Sequence, residues 1–349
     1  MAPIKQRAAF VSESGLTFGL VDVTKPGPGQ ILVKTVAAAQ NPTDCQSSIS
    51  LPSKLEVLQS PENPLTYALR ILSDRLIGKT LGRVLKEPKY GGIVGNDFAG
   101  IVEELGPDVP EGMWTIGERV AGLVFGSQFI LSCVVPSPRY STEHHTTADQ
   151  ANGAFSEYVV ADAELQVVPI PGGWSFEEAA QLGVAPLTAL QCLHETLELP
   201  SPFEATRSTA EQPPIQGPQR TILIWGGASG VGQYAIQFAK LGGLRVVTTA
   251  SSKNFELVKG LGADSVFDYR DEGVVEKIRV ATGNALDIAL DAISEGKTPA
   301  QVTGTIGDKG GKVAIVLPYE SPRPTVKVTF SKLSDLLRRV RLMLPIFCV

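Results

Sequence analysis

Two stretches of this chain have residue types and spacing suited to chemistry: a glycine-rich turn, Gly226-Gly227-Ala228-Ser229-Gly230-Val231-Gly232, and a polar run, Ser251-Ser252-Lys253-Asn254. Glycines so close together let backbone N–H groups converge on an anion, and a helix starting there adds the positive end of its dipole. A pyrophosphate is the natural guest. The glycines are expected to divide the work: Gly227 makes the tight turn, Gly230 lets backbone approach the pyrophosphate, and Gly232 lets helix pack on strand. The polar run contains no acid. Sites that take NAD usually place Asp or Glu there, against the ribose 2′-hydroxyl. Two hydroxyls and an ammonium suit a 2′-phosphate instead, so NADPH is the expected cofactor. An N-cap serine followed by an exposed lysine would use the same residues.

The elements around these stretches must position them. Thr221 to Trp225 is a short apolar run bounded by glycine and reads as a buried strand. Val231, Ala235, Phe238, Ala239 and Leu241 recur at helical spacing, and Gly242-Gly243 stops that helix. Arg245 to Thr249 reads as a second strand. The spacing G-x-x-G-x-G is a weak signal alone; strand, turn, helix and strand in succession make it the first βαβ unit of a dinucleotide-binding fold.

With 349 residues, 43% hydrophobic and 19% charged, the chain suits two domains of a soluble globular protein. A formal net charge of −5 without a basic cluster argues against nucleic acid as a partner. No apolar run has the length of a membrane span and MAPIKQRAAF is no secretory leader, so a cytoplasmic location is expected. Cys45, Cys133, Cys192 and Cys348 are scattered, as reduced thiols are.

The first 160 residues are rich in short β patterns: Ala8 to Val11, Ile31 to Ala37, Ala99 to Glu104, Arg119 to Phe125 and Phe155 to Val160. Turns such as Lys25-Pro26-Gly27-Pro28-Gly29 separate them, which predicts a compact, partly closed β-barrel domain. Asn41-Pro42-Thr43-Asp44, Gly95-Asn96-Asp97-Phe98-Ala99-Gly100, Gly117-Glu118-Arg119-Val120, Gly153-Ala154-Phe155-Ser156-Glu157-Tyr158 and the turn at Gly227–Gly232 follow in order. Together they resemble the medium-chain dehydrogenase/reductase superfamily. The resemblance implies an α/β protein with a GroES-like β-barrel over residues 1–175 and a Rossmann-type doubly wound parallel sheet over 176–330.

Within that superfamily, NPTD, GNDFAG, GAFSEY, SFEEAAQL, SSKNFELVK and VFDYR are most similar to the fungal trans-acting enoyl reductases and their ToxD-like relatives. Zinc-dependent members carry a cysteine where this chain has Asn41 and a His-Glu pair where it has Asn96-Asp97. An amide is a poor zinc ligand, so no metal is expected. His144-His145 lies in a polar stretch and reads as a solvated loop. The resemblance implies NADPH-dependent reduction of an activated carbon–carbon double bond, in polyketide reductases one carried on a partner synthase. A stand-alone quinone or enone reductase, or a non-catalytic NADPH-binding protein, would share most of these features.

Position by position, the resemblance assigns Ala228, Ser229, Gly230 and Val231 to the pyrophosphate and Ser251 to Asn254 to the 2′-phosphate. Tyr269 falls at the adenine end. Thr43, Asp44, Cys45 and Gln46 lie beside the nicotinamide, as do Val316 and Leu317 after the fifth strand. Thr188, on the helix joining the domains, lies near the reaction centre; a helix-interior threonine bonding its own backbone is the alternative. Hydride addition to a β-carbon leaves an enolate that must be stabilised and protonated. Relatives have a lysine where this chain has Gln46, whose amide donates a hydrogen bond but supplies no proton. No proton donor is assigned; solvent can serve.

Beyond residue 160, Ser175 to Leu199 reads as helical, with an N-cap and Glu178 in capping-box position. Strands at Ser265–Tyr269, Asp287–Asp291 and Lys312–Leu317 and helices at Asn254–Leu261, Val274–Thr282 and Pro299–Ile306 follow. Three segments depart from the pattern: insertions at about 47–91 and 129–147, and a basic amphipathic tail over 331–349. With the matching pattern fading near Val326, the expected sheet lacks its far edge and the fold is truncated at its C-terminus.

Overall fold

The computed structural model describes residues 2–12, 15–41, 92–124, 152–200 and 219–331. The insertions, the tail, His144-His145 and the Thr43–Gln46 segment lie outside them. Two compact units divide between Val184 and Ala185.

In the first unit, β1 (Lys5–Ser12) and β2 (Gly15–Asp22) form a hairpin. A five-stranded antiparallel sheet joins β3 (Gln30–Ala39), β4 (Asp97–Leu105), β5 (Arg119–Leu123), β6 (Tyr158–Asp162) and β7 (Val167–Pro169) in the order β6-β3-β4-β5-β7. Alternate residues of a strand face opposite ways. Phe98 and Val102 therefore enter an apolar core with Ile31, Val33, Val120, Val159 and Val167. Ala99, pointing the other way, pairs with Ala121 against Ala179 and Ala180. The expected strand at Phe155–Val160 starts only at Tyr158. Ala154 and Phe155 instead turn inward, their N–H groups donating to Gly95 O and Val94 O at 2.9 Å each. Sequence reasoning missed β2 and β7, because Phe18 and Leu20 of β2 point outward and β7 is three residues ending in proline.

The second unit is a six-stranded parallel sheet of β8 (Thr221–Trp225), β9 (Arg245–Ala250), β10 (Ser265–Asp268), β11 (Ile288–Asp291), β12 (Gly311–Ile315) and β13 (Val326–Phe330), in the order β10-β9-β8-β11-β12-β13. The buried strands alternate between two cores. Ile222, Ile224, Val246, Ile288 and Leu290 meet Ala235 and Ile236 on one side. Leu223, Trp225, Val247, Ala289 and Val313 meet Val274, Ile278 and Val302 on the other. Helices on both faces make the sheet doubly wound. The expectation of an unfinished edge is corrected by β13, which pairs in parallel with β12 from Gly311–Val326 to Ile315–Phe330. Its VKVTF pattern alternates as a strand does, but the preceding SPRPT run reads as a loop and hides it. Among the described residues no helix is long and apolar enough to cross a membrane.

The stretch expected to be helical from Ser175 to Leu199 is so over most of its length, in segments that part at Gly183. The capping box is present, with Glu178 N–H donating to Ser175 Oγ at 3.1 Å and Ser175 N–H to Glu178 Oε2 at 2.8 Å. Yet α1 (Phe176–Ala179) passes through a 3₁₀ turn to Gly183, and a new helix, α2 (Val184–Leu190), starts and runs into a π-helical turn at Gln191–Thr196. The cause is Asp97. Its carboxylate accepts from Val184 N–H at 2.9 and 3.1 Å and from Asn41 Nδ2 at 2.9 Å. A β-carbon at Gly183 would come within 2.0 Å of Asp97 Oδ1, so only glycine fits there. Burial pushes the Asp97 carboxyl from 3.8 up to about 7, against the pull of the bonds from Asn41 and Val184. The folded chain therefore holds a proton that the unfolded chain releases. That stabilisation is full below 3.8 and is lost as pH rises through about 7. Denaturant melts between about pH 4 and pH 8 are expected to show this decline in the wild type and a flatter profile in Asp97→Asn.

Candidate functional site

The parallel sheet reverses its order of growth between β8 and β11, and the carboxyl ends of strands at such a point form a crevice suited to ligands. There the chain leaves β8 through Gly226, at a φ of +80° that L side chains rarely adopt. Gly226 N–H donates to Thr249 Oγ1 at 3.0 Å and Gly227 N–H to Thr249 O at 2.9 Å, tying the turn to the end of β9. The expected division of labour among the glycines needs one correction. The tight turn falls to Gly226; Gly227 is required by packing, since a β-carbon there would lie 2.1 Å from Thr248 Oγ1. Gly232 serves the close packing expected of it, with the Gly226 carbonyl 2.3 Å from where its β-carbon would sit. Gly230 is exposed, with only Ala185 Cβ, 3.5 Å from its would-be β-carbon.

Helix α3 (Gly230–Leu241) begins on this turn and ends at Gly242, as the sequence predicts. Ser229 is its N-cap, its Oγ accepting from Gly232 N–H at 3.1 Å. The N–H groups of Gly230 and Val231 lack intrahelical partners and carry the positive end of the helix dipole. Ala228, half-buried, accepts from Gln233 Nε2 at 3.2 Å. The turn is thus rigid from within while its outer face offers donors to an anion.

At the end of β9, Ser251 is buried and starts a single 3₁₀ turn, Ser252–Asn254, with no side-chain capping bond. Capping therefore does not occupy its hydroxyl. Ser252 and Lys253 are exposed, and Asn254 N–H donates to Ser251 O at 2.8 Å. In the neighbouring strand Asp268 lies in register with Ala250. Its Oδ1 accepts from Arg270 N–H at 2.9 Å, turning the chain so that the Arg270 guanidinium lies 5.2 Å from the Tyr269 ring centre. Sequence reasoning named Tyr269 and passed over Arg270, which this stacking sets beside it.

On the far side of the reversal, β11 ends at Asp291, which is fully buried, and burial raises its carboxyl above the ordinary range. The Asp291 carboxylate accepts from Ile293 N–H, Ser294 N–H and Thr298 Oγ1, and Ser294 Oγ accepts from Val316 N–H at 2.9 Å. No sequence signal singled out Asp291 or Ser294. Val316 and Leu317, both half-buried, follow β12, which ends at Ile315 rather than Leu317. Gly227 to Val231, Ser251 to Asn254, Tyr269, Val316 and Leu317 therefore share one edge of one sheet. Thr188 is half-buried on α2, one turn beyond Ala185. Thr43, Asp44, Cys45 and Gln46 are outside the described residues.

Residues 27–172 match the family described as alcohol dehydrogenase GroES-like domain, and residues 230–342 match the one described as zinc-binding dehydrogenase. That second description is the family's own; in this chain the Asn41 amide is bonded to the Asp97 carboxylate. The chain is 39% identical over 240 residues to the trans-enoyl reductase ACTTS2 of Alternaria alternata, covering 68% of this chain and 61% of that one. It is also 39% identical over 233 residues to the trans-enoyl reductase thnE of Trichoderma harzianum, covering 66% and 57%. It thus spans less than two thirds of either relative. The enoyl reductase cheB of Chaetomium globosum is 34% identical over 337 residues, covering 93% of this chain and 72% of that one. Among solved structures, the CurK enoyl reductase superposes with a TM-score of 0.66 at 19% identity, covering 97% and 86%. The quinone oxidoreductase of Coxiella burnetii does so with 0.60 at 22%, covering 98% and 89%. At that identity the two structures speak for the fold alone. With both domain families in sequence order and a relative matched along nearly the whole of this chain, the protein belongs to the medium-chain dehydrogenase/reductase superfamily, in the family of the fungal trans-enoyl reductases.

Proposed function

We propose that this chain is an NADPH-dependent enoyl reductase acting on an enoyl group carried by a partner polyketide synthase. The observation that carries the proposal is the end of β9, where Ser251, Ser252 and Lys253 occupy the place of the usual acid, in a chain related to trans-enoyl reductases.

The residues fit the cofactor. Gly227 to Val231 would hold the pyrophosphate, using the outward N–H groups at the start of α3. Ser251, Ser252, Lys253 and Asn254 would hold the 2′-phosphate, by hydroxyl bonds and an ammonium. Arg270, stacked on Tyr269 at the end of the next strand, adds a second cation on the same edge. Val316 and Leu317 would flank the nicotinamide, the part of the cofactor to which the resemblance also assigns Thr43, Asp44, Cys45 and Gln46. Bound NADPH supplies the hydride that saturates the double bond. The protein's own part is to orient the dinucleotide and keep water from the reacting carbon. Gln46 can donate a hydrogen bond to developing oxyanion charge, and with no side chain assigned as proton donor, solvent can serve.

Stopped-flow loss of nicotinamide absorbance, run with an enoyl thioester, with a quinone and with no acceptor, tests the reaction. Oxidation with the thioester alone is expected. Faster turnover of the quinone would move the chain to the quinone reductases, and binding without oxidation by any acceptor would remove the enzyme reading. The cofactor assignment has its own test. Lys253→Ala is expected to weaken NADPH by about tenfold or more, the scale of one charge-assisted hydrogen bond, and to leave NADH unchanged. Equal losses for both would overturn the 2′-phosphate assignment.

A further inference from the structure

The loop after β11 is held by more polar contacts than its fold requires. The ladder between β11 and β12 is complete from Ile288–Lys312 to Asp291–Ile315 without it. Yet the Asp291 carboxylate, wholly buried, accepts from Ile293 N–H at 3.0 Å, Ser294 N–H at 2.8 Å and Thr298 Oγ1 at 2.8 Å. Ser294 is bent to a φ of +54°, where a residue with a side chain is uncommon. In that conformation its hydroxyl donates to Asp291 O at 2.8 Å and accepts from Val316 N–H at 2.9 Å. One hydroxyl thus joins the segment leaving β11 to the segment leaving β12.

Both segments border the glycine turn's edge of the sheet. Ile293, half-buried, packs directly on Gly226: a β-carbon there would lie 2.5 Å from Ile293 Cγ1. Val316, also half-buried, packs against the core beneath α3. A buried carboxylate and a left-handed serine both cost stability. What they secure is the fixed placement of these two side chains, and ordering side chains in advance removes that cost from binding.

We infer that Asp291 and Ser294 are positioning residues for the dinucleotide, holding two preset apolar walls, Ile293 beside the glycine turn and Val316 at the end of β12. The inference rests on the reading of that turn as a dinucleotide site, and it is independent of the 2′-phosphate, since neither wall lies on the Ser251–Lys253 side of β8.

The test is the full-length chain carrying Ser294→Gly. Glycine adopts the same φ without strain but lacks the hydroxyl. Its melting temperature is expected to equal or exceed that of the wild type, while the dissociation constants of both NADPH and NADH rise by about five- to tenfold, the scale of one hydrogen bond. Ser294→Ala keeps the strained φ and is expected to lose the same affinity together with some thermal stability. The shared factor separates the tie from the strain. Unchanged affinity in either variant, or a loss confined to NADPH, would overturn the inference. A wild-type chain that binds neither dinucleotide would remove the reading beneath it, and the inference with it.

Discussion

The first turn of α3 lies so close to β8 and β9 that there is no room for a methyl group at two places. Gly227 rests on Thr248, and Gly232 rests on the carbonyl of Gly226. This contact sets the rest of the second unit. It fixes the height of α3 over the sheet, which lets Ala235, Ile236 and Ala239 reach the alternate residues of β8 and β9. It also aims the start of the helix at the carboxyl edge rather than along the strands. The same contact makes Thr248 and Thr249 bridge two strands: Thr248 Oγ1 donates to Ile224 O at 2.6 Å, and Thr249 Oγ1 accepts from Gly226 N–H. Where β9 ends, and hence where Ser251 to Lys253 emerge, follows from that geometry.

Both units use one device at their most constrained points. Asp97 stands at the start of β4 and Asp291 at the end of β11, each buried, each accepting N–H groups from the segment that must be held. A carboxylate with two oxygens can receive several donors converging from different directions, which a hydroxyl cannot. In the first unit the held segment is the start of α2; in the second it is the loop that covers Gly226. Desolvation opposes the charged form in both and outweighs the bonds that favour it, from Asn41 and Val184 in one case and from Ser294, Thr298 and Ile293 in the other.

How much of this was legible beforehand follows from the range of the forces involved. The β8–α3–β9 unit was readable because its signals are local: an apolar run, a cluster of glycines, helical spacing and a Gly-Gly stop lie within a few turns of one another. The capping box at Ser175 was readable for the same reason. The break at Gly183 was not, because Asp97, which causes it, is far away in sequence. Gly226, rather than Gly227, makes the tight turn, and sequence does not separate the two, since a positive φ and a steric demand leave the same residue type behind. Strand β13 was hidden by the proline-rich approach to it. The resemblance to known reductases supplied the candidate positions, whereas Asp291, Ser294 and Arg270 carry no residue pattern of their own and come to notice only through their contacts: the bonds that gather on the Asp291 carboxylate, the Ser294 hydroxyl that reaches Val316, and the stacking of Arg270 on Tyr269.

The approach to β13 carries one further implication. Arg323 donates to Thr303 O at 2.7 Å, Ile306 O at 2.8 Å and Gly307 O at 3.1 Å, the carbonyls at the end of the helix Thr298–Thr305 and just beyond it. Arg279, from the helix Val274–Ala281, reaches Gly304 O and Ile306 O at 3.2 Å each. The Arg323 guanidinium therefore ties the approach to β13 to that helix end, so the outermost strand is anchored to the layer beneath the sheet as well as to β12.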